Sequence, residues 1–185
     1  MATSKPSSSN ITVKWAVIYL ITSIVITYII QLLNLDPNSP VKYLGYIPFI
    51  AFLLLAQKEY RDNKLDGFIS FGDAFLTGFL YSVFGGIMLA IFIYIYLSIL
   101  SPHVLETAME SQRQAFVDKG MSSDQIDQSM ELGKKYGAIF GAVGTLFVIP
   151  IFGAIVALIG AAILKKEKSV TDIENDANTS VDPSV

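Results

Sequence analysis

The chain has no cysteine and one histidine, His103, among its 185 residues. Without a thiol there is no disulfide framework, thiolate metal site, cysteine nucleophile or lipidated cysteine anchor. A lone histidine leaves a metal ion without a ligand set and a catalytic dyad without its second member, so His103 reads as an ordinary solvent-facing side chain. Charge is also scarce. Charged residues make up 16% of the chain, the net charge is −3, and no basic stripe could follow a phosphate backbone. Nucleic acid is therefore excluded as an expected partner. Apart from Asp73, no Asp, Glu, Arg or His lies within the apolar runs, which leaves an embedded protease, a proton relay or a carrier of charged solutes almost without parts. No catalytic residue, metal ligand or cofactor is expected.

Long apolar runs take the place of these features. Hydrophobic residues make up 52% of the chain and fall in unbroken blocks long enough to cross a hydrocarbon core. The expected fold is all-α, an integral membrane protein with four transmembrane helices at 13–33, 41–57, 71–100 and 136–164. A polar helical insert, 101–135, separates the third from the fourth. Residues 1–10 and 169–185 read as disordered tails around a transmembrane domain at 11–168. The first run ends in Gln31-Leu32-Leu33-Asn34-Leu35-Asp36 without a cleavage signal, as an uncleaved anchor would. Trp15 and Tyr19 suit a headgroup boundary. The turn-rich Asp36-Pro37-Asn38-Ser39-Pro40 forces a tight reversal. Pro48 predicts a bend in the second span and Gly85-Gly86 one in the third; Pro150 falls inside the fourth.

The insert reads as two helices outside the lipid. Ser101 caps the first, with Pro102 at its first position and Gly120 at its end, and Ser122 with Gln125 forms a capping box that starts the second. Leu105, Met109 and Phe116 share one face, Ile126 and Met130 another, and Glu131 and Lys135 stand at pairing distance along the helix. Lys5 and Lys14, then Lys58, Arg61 and Lys64, then Lys165, Lys166 and Lys168 fall on the side of both termini, which the positive-inside rule makes cytoplasmic.

Two patterns mark candidate functional residues. Ala74, Gly78, Ser82, Gly86 and Ala90 recur every fourth residue, as do Gly133, Gly137 and Gly141, joined lower down by Gly153, Ala157 and Ala161. Such rows let helix backbones approach closely, within one chain or between two copies of it. Ser70-Phe71-Gly72-Asp73 fits the S-x-x-D capping pattern, which makes Asp73 either a cap at the start of the third span or an intramembrane acid of a transport path.

The run Glu59-Tyr60-Arg61-Asp62-Asn63-Lys64 followed by Gly67-Phe68-Ile69-Ser70-Phe71-Gly72-Asp73-Ala74-Phe75 resembles the central motif of the bacterial domain-of-unknown-function 4199 (DUF4199) membrane family. The order of spans, the Met-Ser-Ser-Asp-Gln-Ile insert and the closing Ile-Leu-Lys-Lys are similar as well, leaving only the tails outside. The resemblance implies a small four-helix protein of the bacterial inner membrane with no assigned activity. The reading that follows is a non-enzymatic structural or interaction protein whose partners are the lipid bilayer and a second copy or another membrane protein. The alternative is a small, oligomeric transporter or channel lined by the proline-bearing spans.

Overall fold

The computed structural model describes residues 6–33, 35 and 40–167, with the side chain of Lys42 excepted. Among the described residues five α-helices follow one another: α1 Ser9–Leu32, α2 Tyr46–Lys64, α3 Phe71–Ile95, α4 Pro102–Asp118 and α5 Ser123–Leu164. A 3₁₀ helix, Pro40–Gly45, precedes α2, and a π turn, Tyr96–Leu100, extends α3. Among the described residues three helical stretches are long and apolar enough to cross a membrane: Ser9–Leu32, Phe71–Leu100 and Ser123–Leu164. The chain is thus an all-α, multi-pass membrane protein. The reversal expected at 36–39 and the tail at 169–185 lie outside the described residues. The chain divides into two compact units, one made of residues 1–82 and 153–185 and the other of 83–152.

In the first unit the contacts form a ladder. Lys14 meets Glu59, Trp15 meets Phe52, and Tyr19 meets Phe49, so numbers rise along α1 as they fall along α2. The same reversal holds between α2 and α3, where Gln57 reaches Ala74 and Tyr81 reaches Phe49, and between α3 and α5, where Gly78 faces Ala157 and Ser82 faces Gly153. Four segments therefore run alternately up and down, and α1 and α3 point the same way. Their pattern is inverted relative to a water-soluble bundle. Ile21, Val25 and Ile29 of α1 and Ile151, Ile155 and Ile159 of α5 face outward, whereas Thr12, Ala16, Thr77, Ser82, Ala157 and Ala161 are buried. Lipid-facing helices have this arrangement, because hydrocarbon solvates Ile as well as a core does and small residues let the backbones close up.

Three expectations are corrected here. The first 10 residues are not all tail. Helix α1 begins at Ser9, because Ile11 and Thr12 are buried and their amides donate to the Ser8 carbonyl at 3.1 and 3.0 Å, with Ser8 at the cap position. Residues 41–57 do not form a single helical span, so three membrane-length helices stand where four were expected. That segment is a 3₁₀ helix followed by α2, which turns polar at Lys58. Pro48 causes no mid-helix break, since it occupies the first turn of α2, where its missing N–H would have had no partner in the helix anyway. Tyr19 is buried against Phe49 and Tyr81.

The second unit is also laddered. Arg113 pairs with Asp127, Met109 fills the space beside Gly133, Leu105 lies over Gly137, Leu97 over Gly141, and the Pro150 ring lies against Gly86. The segment from α3 through α4 runs antiparallel to the first part of α5. Ser122 and Gln125 form the expected capping box, each backbone N–H donating to the other's side chain at 3.2 and 3.4 Å, and Gly120 takes the positive φ of +72° that ends α4. The restart is nevertheless not a separate helix. With no breaker between Gln125 and Tyr136, it runs directly into the last span as the 42-residue α5. Helix α3 continues unbroken through Gly85-Gly86, and its irregularity falls instead at the π turn. Lys135 lies over the Tyr136 ring, 5.2 Å from its centre, instead of on Glu131.

Candidate functional site

Residues 59–75 gather the ends of all four segments of the first unit. Glu59, at the polar end of α2, accepts from Lys14 Nζ at 2.6 Å and from the Trp15 indole N–H at 2.8 Å. The Lys14 ammonium beside it holds the Glu59 carboxyl below the usual carboxylate range, with partial desolvation opposing and the Trp15 bond assisting. Next to it the Tyr60 hydroxyl donates to the Pro6 carbonyl at 2.7 Å. Arg61 pairs with the exposed Asp62 and lowers its pKa. The chain then turns through Asp66 and Gly67, with φ of +52° and +83°, and the Gly67 amide donates back to Arg61. Only glycine takes such a φ without a Cβ penalty. After the turn, Ile69 and Lys166 exchange two backbone hydrogen bonds of 2.8 and 3.0 Å, and the Lys166 ammonium lies over the Phe68 ring. Ile11, Ala56, Tyr60, Ile69, Ala74 and Ala161 close into one buried cluster beneath.

Ser70 and Asp73 lie at this end. The Ser70 hydroxyl accepts from the Asp73 amide at 3.2 Å and donates to the Asp73 carboxylate. Ser70 thus caps α3, and the acid falls in its first turn, where the helix dipole favours a negative charge.

One turn further in lies Gln57, the last residue of the second span expected at 41–57. It is fully buried. Its Nε2 donates to the carbonyls of Ala74 and Ala157 at 2.8 and 3.0 Å, joining α2 to α3 and α5. Two carbonyls can be served only by the amino end of the amide, which fixes its orientation and leaves Oε1 buried with no hydrogen-bond donor among the described residues. Gly78 and Gly160 make the space. A Cβ at Gly78 would stand 2.7 Å from Nε2, and one at Gly160 would overlap Oε1. A sequence signal existed, since Phe49, Leu53, Gln57 and Tyr60 continue one helical face of α2.

The small-residue rows divide between the units. Ala74, Gly78 and Ser82 are brought together with Ala157, Ala161 and Gly153 in the first, where a Cβ at Gly78 would lie 2.8 Å from that of Ala157 and one at Gly153 would overlap Ser82. In the second unit, Ala90 is buried, and Gly86, Gly133, Gly137 and Gly141 receive the Pro150 ring and the side chains of Met109, Leu105 and Leu97. There the glycines admit large side chains, a different use of the same spacing. Among the described residues no group of three or more His, Asp or Glu could hold a metal ion.

The family model described as Protein of unknown function (DUF4199) matches residues 14–166. No curated protein and no solved structure matches the chain.

Proposed function

We propose that this chain, which belongs to the DUF4199 family, is a non-enzymatic interaction protein of the bacterial inner membrane that carries a rigid helical hairpin outside the lipid. The observation behind this reading is α5. At 1.5 Å per residue its 42 residues extend about 63 Å, twice the roughly 30 Å of a hydrocarbon core. Its polar first third is clasped to α4 by the Arg113–Asp127 pair, by Met109 against Gly133 and by Leu105 against Gly137. A hairpin fixed in this way presents a constant surface to a partner, either a second copy or another membrane protein.

The proposed topology has four crossings with both termini cytoplasmic. Because α1 and α3 run in the same direction, the chain must return between them. The 3₁₀ helix supplies about 12 Å and the apolar part of α2 about 16 Å, together close to the hydrocarbon thickness. Lys14, Lys58, Arg61, Lys64, Lys165 and Lys166 then share the cytoplasmic side.

A transporter or channel is the rival reading. Against it, the interior of the first unit is filled at successive levels by Phe49 and Ser82, by Leu53 with Gly78 and Ala157, and by Gln57 with Gly160. Asp73 is engaged with Ser70. Purified protein in liposomes should give no saturable solute flux, and a photo-crosslinker at Ser111 or Gln128 should trap one discrete partner. Saturable flux from the purified chain would overturn the interaction reading.

A further inference from the structure

Within the second unit, Leu105 to Leu97 on one side of the ladder spans twice as many residues as Gly137 to Gly141 on the other. The surplus is taken up by the π turn and by Ser101, whose φ of −146° breaks the helix before α4. Single π turns in helices occur frequently at functional sites. Here the displaced backbone leaves a half-open cavity of about 490 Å³, within the range of small-ligand pockets. Leu97, Leu105 and Ala138 are among its apolar walls, and Ser98, Glu106, Lys134 and Lys135 supply its polar lining. Neither lysine has an acidic partner among the described residues. Both directly precede the apolar run that starts at Tyr136, so the cavity lies where α5 passes from polar to apolar sequence.

We infer that this cavity binds the headgroup of an anionic glycerophospholipid from the surrounding bilayer. Two ammonium groups and one carboxylate leave the lining with a net charge of +1, the complement of a phosphodiester carrying a glycerol headgroup. The phosphate takes hydrogen bonds from Lys134 and Lys135, and the headgroup hydroxyls donate to the Glu106 carboxylate. The acyl chains leave past Tyr94 and Ile139 into the hydrocarbon. This lipid is a partner of the protein described above and rests on its membrane-spanning reading.

Native mass spectrometry of the full-length protein released from detergent tests the inference, with phosphatidylglycerol, phosphatidylcholine and free glycerol phosphate as probes. The wild type should retain one phosphatidylglycerol at concentrations where neither other probe is held. Lys134→Gln with Lys135→Gln should weaken that retention about thirtyfold, from roughly fivefold per lysine at a membrane surface. Ser98→Trp, which fills the cavity at unchanged charge, should abolish it, while Lys64→Gln with Lys119→Gln should leave it intact. Equal retention of phosphatidylcholine, equal binding of glycerol phosphate, or full retention by Ser98→Trp would overturn the lipid site. Release of the wild type from membranes by alkaline carbonate would instead overturn the membrane-spanning reading beneath it.

Discussion

Adding one methyl group at Gly78 should loosen the first unit more than replacing the buried Gln57 amide by leucine. The new Cβ would stand 2.8 Å from the Ala157 Cβ, 2.7 Å from Gln57 Nε2 and 3.0 Å from Leu53 Cδ2. Carbon atoms rest at about 3.5 to 4.0 Å, so α3 and α5 must separate by about 1 Å at this level. The Gln57 and Leu53 atoms are side-chain ends that can swing away, but Ala157 Cβ is fixed to its backbone. Overpacking of this kind costs about 1–3 kcal/mol, and alanine's better helix propensity returns up to about 1 kcal/mol. Because the Ala157 Cβ at 2.8 Å cannot give way, the upper end of that range applies and a net loss of about 2 kcal/mol is expected for Gly78→Ala, a shift of roughly thirtyfold in the unfolding equilibrium. Ala157→Gly moves the missing methyl to the facing helix, so the double variant should recover more than half of the loss. Gly144→Ala, where a Cβ meets nothing within 4 Å, serves as the control that reports the helix-propensity gain alone, up to about 1 kcal/mol. Steric trapping in bicelles measures all four proteins. A near-neutral Gly78→Ala, or a double variant as unstable as the sum of its parts, would refute close α3–α5 packing at this level.

Replacing Gln57 by Leu should change stability by less than about 1 kcal/mol. Each interhelical hydrogen bond lost in a membrane is worth roughly 0.6 kcal/mol, and the orphaned Oε1 leaves with them; Gln57→Ala, which opens a cavity, should cost about 2 kcal/mol or more in the same assay. Ser70→Ala should cost about 1 kcal/mol as a lost cap, and Asp73→Asn should leave liposomes as impermeable as the wild type; a selective change in solute flux on Asp73→Asn would restore the intramembrane-acid reading. The pKa of Glu59 is lowered in the folded state, so its contact with Lys14 is fully present above the ordinary glutamate pKa and is lost as pH falls through the lowered one. Trp15, the only tryptophan, bonds directly to Glu59, so its emission should stay constant from pH 8 through the usual glutamate range and shift only below it; the shift should be absent in Glu59→Gln.

Much of the architecture was legible because lipid imposes length. Apolar runs located α1, α3 and the membrane part of α5, and Pro102 at a first helical position, Gly120 and the Ser122–Gln125 box located the helix boundaries of the insert, Ser101 holding the cap position without a side-chain cap bond. The misreadings came where a run of types is compatible with two geometries. Nothing between Gln125 and Tyr136 stops a helix, so a polar piece and an apolar span merged into one α5. Pro48 and Gly85-Gly86 were read as bends, but a proline in a first turn loses nothing, and paired glycines inside a packed helix need not bend. Gln57 closes the second span expected at 41–57, directly before the charged Lys58-Glu59. Its burial depends on Gly78 and Gly160, which lie on other helices. The ends of the Glu59 to Phe75 motif are joined by Lys14, Pro6 and Lys166, partners distant in sequence.

Single cysteines introduced at Ser9, Ser111, Gln128 and Glu167 into the cysteine-free chain, labelled in intact cells with a membrane-impermeant maleimide, test the four-crossing topology directly. Labelling at Ser111→Cys and Gln128→Cys, with Ser9→Cys and Glu167→Cys reacting only after permeabilisation, is the expected result. Reaction of Ser9→Cys and Glu167→Cys from opposite sides would mean an odd number of crossings and would contradict the return of α2 through the bilayer.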